Sequence, residues 1–282
     1  MSALRSRANV RVKRWHALAH DGRARRGERR TLLEGVHLLT AYLASGPRPV
    51  SVLVSETGQR SAEITALVRL ADAETVLLAD SLFRWIVDVA APAGVAAEIE
   101  IPQAAEEAAE GDCAFLEGIQ DAGNVGTILR SAAAFGVRDA VLGSGCADPW
   151  SPKVLRAAMG AHFSLRVRRV GDLAAAVAAF AGTTVCAAAH GGRPLQEIDL
   201  GERVGWILGA EGQGVSATLA ATAEQCTTIG LAPATESLNV AAVAAILFYE
   251  RARLRAEGDT GGAGGASGAA APPAPSTRGA RS

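Results

Sequence analysis

The sequence predicts an α/β protein with two units, the second of which is a mostly parallel sheet with helices on both faces. Short apolar runs of strand length alternate with helical patterns along most of the chain, and this alternation is typical of βαβ units. Apolar residues make up 49% and charged residues 20% of the chain, as expected of a globular protein with a substantial core. An acidic, alanine-rich stretch at residues 103–111 divides the alternation into two series.

The first series predicts a small α/β domain over residues 1–102. Its apolar residues recur at helical spacing in some segments and form short runs in others. We expect helices at residues 9–20, 35–44, 61–70 and 81–87, and strands at residues 31–33, 51–54, 75–78 and 95–101. The stretch at residues 103–111 lacks apolar bulk, so we interpret it as a linker.

The second series predicts a larger domain over residues 112–257. Strands are expected at residues 113–117, 139–142, 163–167, 184–188, 204–208 and 226–231, with helices between most of them and a long helix starting near Leu238. Ligands of such sheets bind in the loops at the carboxyl ends of the strands. Residues 258–282 are mainly Gly, Ala, Pro and Ser, a composition that cannot bury a core and predicts a disordered tail.

The charge of the chain is nearly balanced overall but uneven along its length. The formal net charge is −1, yet the first 30 residues hold ten Lys or Arg against two acidic residues. This basic end predicts either a face that meets phosphates or a solvated tail, and charge alone does not decide between them.

The cysteines and the lengths of the apolar runs indicate the cellular compartment of the protein. Cys113, Cys146, Cys186 and Cys226 lie far apart and form no CxxC pair, so we expect buried free thiols and no metal site. No apolar run reaches the length of a membrane span, and no signal-peptide pattern is present. The sequence therefore predicts a cytoplasmic protein without a membrane partner.

Three strand-ending loops contain unusual residues, and the first leads into a helix. After the strand at residues 113–117 comes a loop at residues 118–123, then Asn124 where an N-cap would stand, and Arg130 on the polar side of the helix. A helix N-terminus with these groups suits a phosphate or a ribose. The alternative is that Asn124 only caps the helix and Arg130 is a surface charge.

The second and third loops also have two interpretations each. Gly209, Glu211, Gly212 and Gly214 follow the strand at residues 204–208 without forming the GxGxxG fingerprint. They can hold an adenosine through backbone groups, or they form a plain turn in which Glu211 caps the next helix. In the third loop, Ser237, Leu238 and Asn239 offer a hydroxyl, an apolar shelf and an amide, or simply a cap for the last helix.

Taken in order, the loops resemble the motifs of the SPOUT superfamily, specifically the TrmH/SpoU family of RNA ribose 2′-O-methyltransferases. The family's Asp-Pro-x-Asn-x-Gly-x-x-x-Arg, Gly-x-Glu-x-x-Gly and Glu-Ser-Leu-Asn-Val motifs are similar to residues 121–130, 209–214 and 236–240, and residues 151–160 resemble a further family segment. Ala122 replaces the usual proline, and Gly230 and Pro233 stand where Pro and Gly are common. The last two departures leave the path of the third loop open.

The resemblance implies S-adenosylmethionine as cofactor, a deep trefoil knot and a homodimer. It implies a catalytic group of Arg130, Asn124, Glu211, Ser237 and Asn239, and cofactor contacts from Gly209, Ile229, Leu238, Glu211, Gly214 and Asn239. The N-terminal region is similar to the substrate-binding domains of this family, which are themselves similar to RNA-holding ribosomal proteins. RNA rather than DNA is thus the implied partner, with contacts from Arg11, Lys13, Arg14 and Arg130.

The implied reaction places Arg130 at the ribose oxygen. Removing a proton from an arginine at pH 7 costs about 8 kcal/mol, whereas a charge-assisted contact to the developing alkoxide contributes roughly 3–4 kcal/mol. We therefore expect Arg130 to act mainly as a fixed positive charge and phosphate anchor, with Asn124 orienting the ribose.

The substrate and one rival function stay open. Ribosomal RNA is the first choice of substrate and transfer RNA the second. The rival is a non-enzymatic RNA-binding protein for ribosome assembly on the same scaffold. A Rossmann-type nucleotide enzyme would need a GxGxxG turn, which the sequence lacks.

Overall fold

The computed structural model describes residues 2–103 and 109–262 and contains two sheets. We call residues 2–103 the N-terminal unit and residues 109–262 the C-terminal unit. Residues 104–108 of the predicted linker and residues 263–282 of the predicted tail lie outside the described residues. The predicted domain boundaries therefore stay predictions.

The N-terminal unit is a four-stranded mixed sheet with helices. Its elements are α1 (Val10–His20), α2 (Gly22–Glu28), β1 (Arg30–Glu34), α3 (Val36–Ala44), β2 (Ser51–Ser55), α4 (Ala62–Ala71), β3 (Glu74–Leu78), α5 (Asp80–Ile86) and β4 (Val95–Glu100). The strand order is β1-β4-β2-β3, with β4 antiparallel to both neighbours and β2 parallel to β3. All eight predicted elements of this unit are present, and α2 is an additional helix.

Helix α2 escapes a pattern-based prediction because its sequence, GRARRGE, has no apolar stripe. Local and tertiary contacts form it instead. Asp21 caps its N-terminus by accepting from Arg23 N at 2.7 Å, and Arg29 ends it in the left-handed conformation with φ 53°.

The C-terminal unit is a seven-stranded sheet in which every described strand pair is parallel. Its elements are β5 (Cys113–Leu116), α6 (Ala122–Ala134), β6 (Asp139–Leu142), α7 (Pro152–Ala158), β7 (Arg166–Arg169), α8 (Leu173–Ala178), β8 (Thr183–Ala187), β9 (Arg193–Pro194), β10 (Val204–Leu208), α9 (Ala217–Ala220), β11 (Gln225–Thr228) and α10 (Val240–Gly262). The strand order is β7-β6-β5-β10-β8-β11-β9. The predicted fold class is confirmed; the knot stays a prediction.

Helices cover both faces of this sheet. Buried residues of α6, α7 and α10 form one core cluster with the sheet, and α8 and α9 form another on the opposite face through Leu173, Val177 and Leu219. Helices α6 and α7 approach closely at Gly126, where a Cβ would lie 2.4 Å from Ala157 Cβ and 2.8 Å from the Val154 carbonyl oxygen. A side chain at this position would therefore separate the two helices.

Some predicted boundaries in the C-terminal unit are wrong. Phe163 lies in a 3-10 turn (Ala161–Phe163), and the strand that follows begins at Arg166. The last predicted strand ends at Thr228, because Ile229 and Leu231 turn away from the sheet and line a cavity. Helix α10 begins at Val240 and runs to Gly262, five residues into the predicted tail.

The two units share a core. One cluster of buried residues contains Leu33, Leu39 and Val52 of the N-terminal unit together with Leu129 and Leu155 of the C-terminal unit. Polar contacts join the units as well: Thr31 Oγ1 donates to the Trp150 carbonyl oxygen at 2.7 Å. Among the described residues, no helix combines the length and apolar character needed to cross a membrane.

Candidate functional site

A cavity of about 640 Å³ opens at the carboxyl ends of β8, β10 and β11. This is the edge at which parallel sheets bind ligands. The loops bring together seven of the predicted site residues in the lining: Gly209, Glu211, Gly214, Ile229, Ser237, Leu238 and Asn239. The structure thus joins the second and third sequence loops into one site.

Sequence reasoning missed part of the lining. Residues 187–190, at the carboxyl end of β8 and directly after it, line the cavity, and so do Leu231, Glu236, Val243 and Leu247. The segment after β8 carries no motif, but it follows a predicted strand, so the strand-end rule alone could have identified it. Val243 and Leu247 belong to α10, for which only a long helix was predicted.

Glycines close the loop after β10 on itself. A Cβ at Gly209 would lie 2.0 Å from the carbonyl carbon of Gly214, and Gly214 N donates to the Ala210 carbonyl oxygen at 2.8 Å. Gly214 also has a left-handed φ of 68°. Side chains at these positions would force the loop open and change the cavity wall.

Glu211 does not cap the next helix, which corrects one of its two interpretations. Helix α9 is capped by Ser216, whose Oγ accepts from Leu219 N at 3.3 Å. Glu117, at the end of β5, holds Ser216 by accepting from its backbone N and its Oγ, both at 2.7 Å. The carboxylate of Glu211 is therefore left to line the cavity.

Asn239 and Asn124 link the third loop to the first. Asn239 Oδ1 accepts from Ala241 N at 2.8 Å and so caps α10, while Asn239 Nδ2 donates to Asn124 Oδ1 at 3.0 Å. The expectation that Asn124 caps α6 is wrong: Asp121 is the cap, and its Oδ1 accepts from Asn124 N at 2.8 Å. Because Asp121 takes that role, the Asn124 side chain can bond across to the cavity residue Asn239.

Arg130 lies outside the cavity lining. It is exposed on α6, about 9 Å along the helix axis from Asn124 at 1.5 Å per residue. Arg130 forms no ion pair within the described part of the chain. The structure brings Asn124 to the cavity edge but does not bring Arg130 into the same wall.

The charged residues of the lining are acidic. Glu211 and Glu236 both line the cavity, together with His190. Leu208, Ile229, Leu231, Leu238, Val243 and Leu247 supply apolar surface. An apolar cavity with carboxylates favours a ligand that has an apolar ring and a positive charge.

The predicted RNA contacts of the N-terminal unit differ in whether their charged groups already pair with carboxylates. Lys13 is exposed. Arg11 donates from both Nη atoms to the Glu74 carboxylate, at 2.8 and 2.7 Å.

The guanidinium of Arg14 is paired with two carboxylates, and its role as an RNA contact stays a prediction. Its Nη1 and Nη2 donate to Glu98 at 3.1 and 2.6 Å, and its Nε donates to Glu28. Burial opposes the charge of Glu98, but hydrogen bonds from Arg14, Arg30 and Trp15 outweigh it and lower the pKa of this carboxyl. Arg14 therefore neutralises a buried carboxylate.

Comparisons with protein families match both units. Residues 113–249 match the family described as SpoU rRNA Methylase, and residues 9–97 match the MRM3-like substrate binding domain. The chain is 32% identical over 255 residues to the 23S rRNA (guanosine(2553)-2′-O)-methyltransferase RlmP of Bacillus subtilis, covering 88% of this chain and 98% of that protein.

Solved structures of similar fold superpose on most of this chain. A TrmH-family protein of Porphyromonas gingivalis superposes with a TM-score of 0.76 at 31% identity, covering 88% of this chain and 100% of that one. The SpoU methyltransferase AviRb of Streptomyces viridochromogenes, in complex with its cofactor AdoMet, superposes with a TM-score of 0.79 at 25% identity, covering 88% and 98%.

Proposed function

The chain belongs to the SpoU rRNA methylase family, and on that premise we propose that it transfers a methyl group from S-adenosylmethionine to a ribose 2′-hydroxyl of RNA. Ribosomal RNA is the first-choice substrate. The relative RlmP is named as a 2′-O-methyltransferase of 23S rRNA and spans almost the same length as this chain.

The observation that carries the proposal is the cavity built from the second and third loops. Its volume of about 640 Å³ is in the range of small-ligand sites. The apolar residues suit an adenine ring, and Glu211 and Glu236 suit the positive sulfonium and ammonium groups of S-adenosylmethionine. The residues present therefore fit this cofactor, with Gly209, Gly214, Ile229, Leu238 and Asn239 holding it.

When bound, the cofactor supplies a methyl group on a positively charged sulfur. The protein must hold the ribose in line with that methyl and stabilise the oxygen as its proton leaves. We assign the orientation of the ribose to Asn124, which Asn239 fixes at the cavity edge. Arg130 acts as a fixed positive charge near the developing alkoxide and the adjacent phosphate, a role that requires no loss of its own proton. Ser237 completes the polar wall.

We assign RNA binding to the N-terminal unit, as the first domain over residues 1–102. Support comes from its match to a substrate binding domain and from the core that it shares with the C-terminal unit. Transfer RNA is the second-choice substrate. We place the reaction in the cytoplasm.

A homodimer is part of the proposal. Helix α10 exposes Ile246, Tyr249 and Leu254 to fractions of 37%, 55% and 37%. Tyr249 contacts Phe135, next to the end of α6, with ring centroids 5.7 Å apart. This exposed apolar face adjoins the helix that carries Arg130, so pairing of two copies there would bury the face beside Arg130.

Transfer of tritium from labelled S-adenosylmethionine to RNA tests the proposal. We expect incorporation into ribosomal RNA from cells that lack the protein. RNA binding without cofactor binding and without incorporation would favour the non-enzymatic ribosome-assembly protein instead.

A further inference from the structure

Helix α2 contacts the C-terminal unit at the loop that follows β6. Arg25, in the middle of α2, is 5% exposed. Its Nε donates to Asp148 Oδ2 at 2.8 Å, and its Nη1 donates to the carbonyl oxygens of Leu18 and Ala19 at 2.8 and 3.1 Å. This buried ion pair fixes α2 to the loop that follows β6.

The loop after β6 in turn contacts the first sequence loop. Ala147 N, one residue before Asp148, donates to the Ile119 carbonyl oxygen at 2.9 Å. Ile119 lies two residues before Asp121, which caps α6 and fixes Asn124. Hydrogen bonds and the short chain segments between them thus connect α2 to the loop that leads into α6.

Two arginines of α2 face solvent at this junction. Arg23 and Arg26 are exposed, and neither has an ion pair among residues 2–103 and 109–257. Arg26 Nη1 and Asp148 Oδ2 lie 3.1 and 3.3 Å from where a Cβ of Gly22 would be, so Arg26 lies at the contact with the C-terminal unit.

Many other basic residues of the N-terminal end are neutralised. Carboxylates pair with Arg5, Arg11, Arg14, Arg25 and Arg30. The positive potential that the sequence places in the first 30 residues is therefore not spread evenly over the surface. On α2, it is concentrated on the two exposed guanidinium groups.

We propose that Arg23 and Arg26 form a phosphate-binding edge that holds the RNA backbone next to the loop leading into α6. Guanidinium groups bind phosphate oxygens through paired hydrogen bonds. Arg25 positions this edge through Asp148 and does not itself contact RNA. The inference rests on the proposed function, because it takes RNA as the substrate.

The salt dependence of RNA binding tests the edge in the full-length protein. A ribosomal RNA fragment is titrated without cofactor at several salt concentrations, with wild type, R23Q/R26Q and R60Q/R69Q. We expect R23Q/R26Q to lower the slope of log affinity against log salt by about two and the affinity by about tenfold. R23K/R26K, which keeps both charges, should restore most of the slope.

The control R60Q/R69Q removes the same charge from exposed arginines in the 3-10 turn Gly58–Arg60 and in α4. We expect its slope to stay within about half a unit of wild type. Equal slopes for R23Q/R26Q and the control would overturn the proposal, as would a wild-type protein that binds no RNA.

Cofactor affinity separates this inference from the proposed function. Calorimetry with S-adenosylmethionine should give the same dissociation constant for R23Q/R26Q and wild type. A protein that shows the slope change but transfers no methyl group would contradict the proposed function and leave the phosphate edge standing. If the wild-type protein methylates RNA but R23Q/R26Q has the same salt slope as wild type, the phosphate edge is contradicted and the proposed function stands.

Discussion

The amide of Asn239 makes two hydrogen bonds in different directions. Its oxygen caps α10 through Ala241 N, and its nitrogen donates to Asn124 Oδ1. One side chain therefore fixes both the start of the last helix and the position of the first loop. The cap interpretation of Asn239 is therefore confirmed, while its role in the site stays a prediction.

We predict that Asn239→Ala weakens S-adenosylmethionine binding about five- to tenfold. The substitution removes two hydrogen bonds, each of which contributes about 1 kcal/mol. Part of this free energy keeps the cavity wall ordered, so its loss weakens cofactor binding. Calorimetry measures the dissociation constant. The matched control is Asn9→Ala, which removes the cap of α1, where Asn9 accepts from Arg11 N. An N239A constant equal to that of wild type contradicts the prediction.

Arg130 should affect the rate and not cofactor affinity, because it lies outside the cavity lining. We predict that Arg130→Ala lowers the rate of methyl transfer to RNA roughly 100- to 1000-fold, which corresponds to the loss of one preorganised contact to a developing oxyanion. R130K retains the charge and should retain more activity than R130A. Single-turnover experiments with tritiated cofactor measure the rate of methyl transfer for each variant. A rate for R130A within threefold of wild type would rule out this role.

At the residue scale, the sequence predicted which polar groups lie in or beside the cavity better than it predicted their hydrogen-bond partners. Asn124, Glu211 and Asn239 were found from motifs, yet Asp121 and Ser216 are the helix caps. The pairing of Arg14 with Glu98 joins residues 84 positions apart. Such a pairing depends on how α1 packs against β4, which no local pattern records.

At the scale of elements, the 3-10 turn Ala161–Phe163 contains a buried histidine. His162 Nε2 donates to the Pro149 carbonyl oxygen at 2.7 Å, which fixes the neutral tautomer, and its Nδ1 is buried without a partner among the described residues. Burial lowers the pKa of His162 to about 4. The neutral imidazole is thus the form that the fold accommodates.

We predict that stability falls as the pH drops from about 6.5 to about 4. In that window the unfolded chain binds a proton at His162 that the folded chain does not, so unfolding becomes easier by at most about 3 kcal/mol. Urea unfolding at several pH values measures the loss, and His162→Gln should remove most of it. His16 is less buried, and burial lowers its pKa as well. The comparison variant H16Q should therefore remove a smaller part of the loss than H162Q. A pH profile of H162Q identical to that of wild type contradicts the assignment.

Elements were predicted well where an apolar period defines them and poorly where tertiary contacts do. All strands of the N-terminal sheet were found, whereas α2 forms through Asp21 and the seating of Arg25 on Asp148. The last strand, β11, is shorter than its apolar run because Ile229 and Leu231 serve the cavity wall. Hydrophobicity alone does not distinguish a buried strand from an apolar site.

At the scale of the whole molecule, the exposed face of α10 leads to a prediction about assembly. We expect the wild-type protein to be a dimer at micromolar concentration and Ile246→Asp/Tyr249→Asp to be a folded monomer, because a charge there opposes burial of the face. Light scattering coupled to size-exclusion chromatography measures the mass. The control Val10→Asp changes a residue that is 80% exposed on α1 and should leave the mass unchanged. A monomeric wild type would refute the dimer.

The sequence predicted the layers of the molecule, but it did not predict the strand order or the core that the two units share. Alternating strands and helices predicted a parallel sheet with two covered faces, which the structure confirms. The strand order and the core shared between the two units depend on contacts such as Leu33 with the C-terminal cluster. Those contacts join residues far apart in the chain, so periodicity contains no information about them.

The central claim is that this chain methylates a ribose oxygen of RNA. Its most direct test incubates unmodified ribosomal RNA with the protein and deuterated S-adenosylmethionine, digests the product to nucleosides and identifies them by mass spectrometry. We predict one or a few 2′-O-methylated nucleosides carrying the deuterated methyl group on the ribose, and none with R130A on the same time scale. A label on a base, or no label in any RNA offered, would contradict the claim.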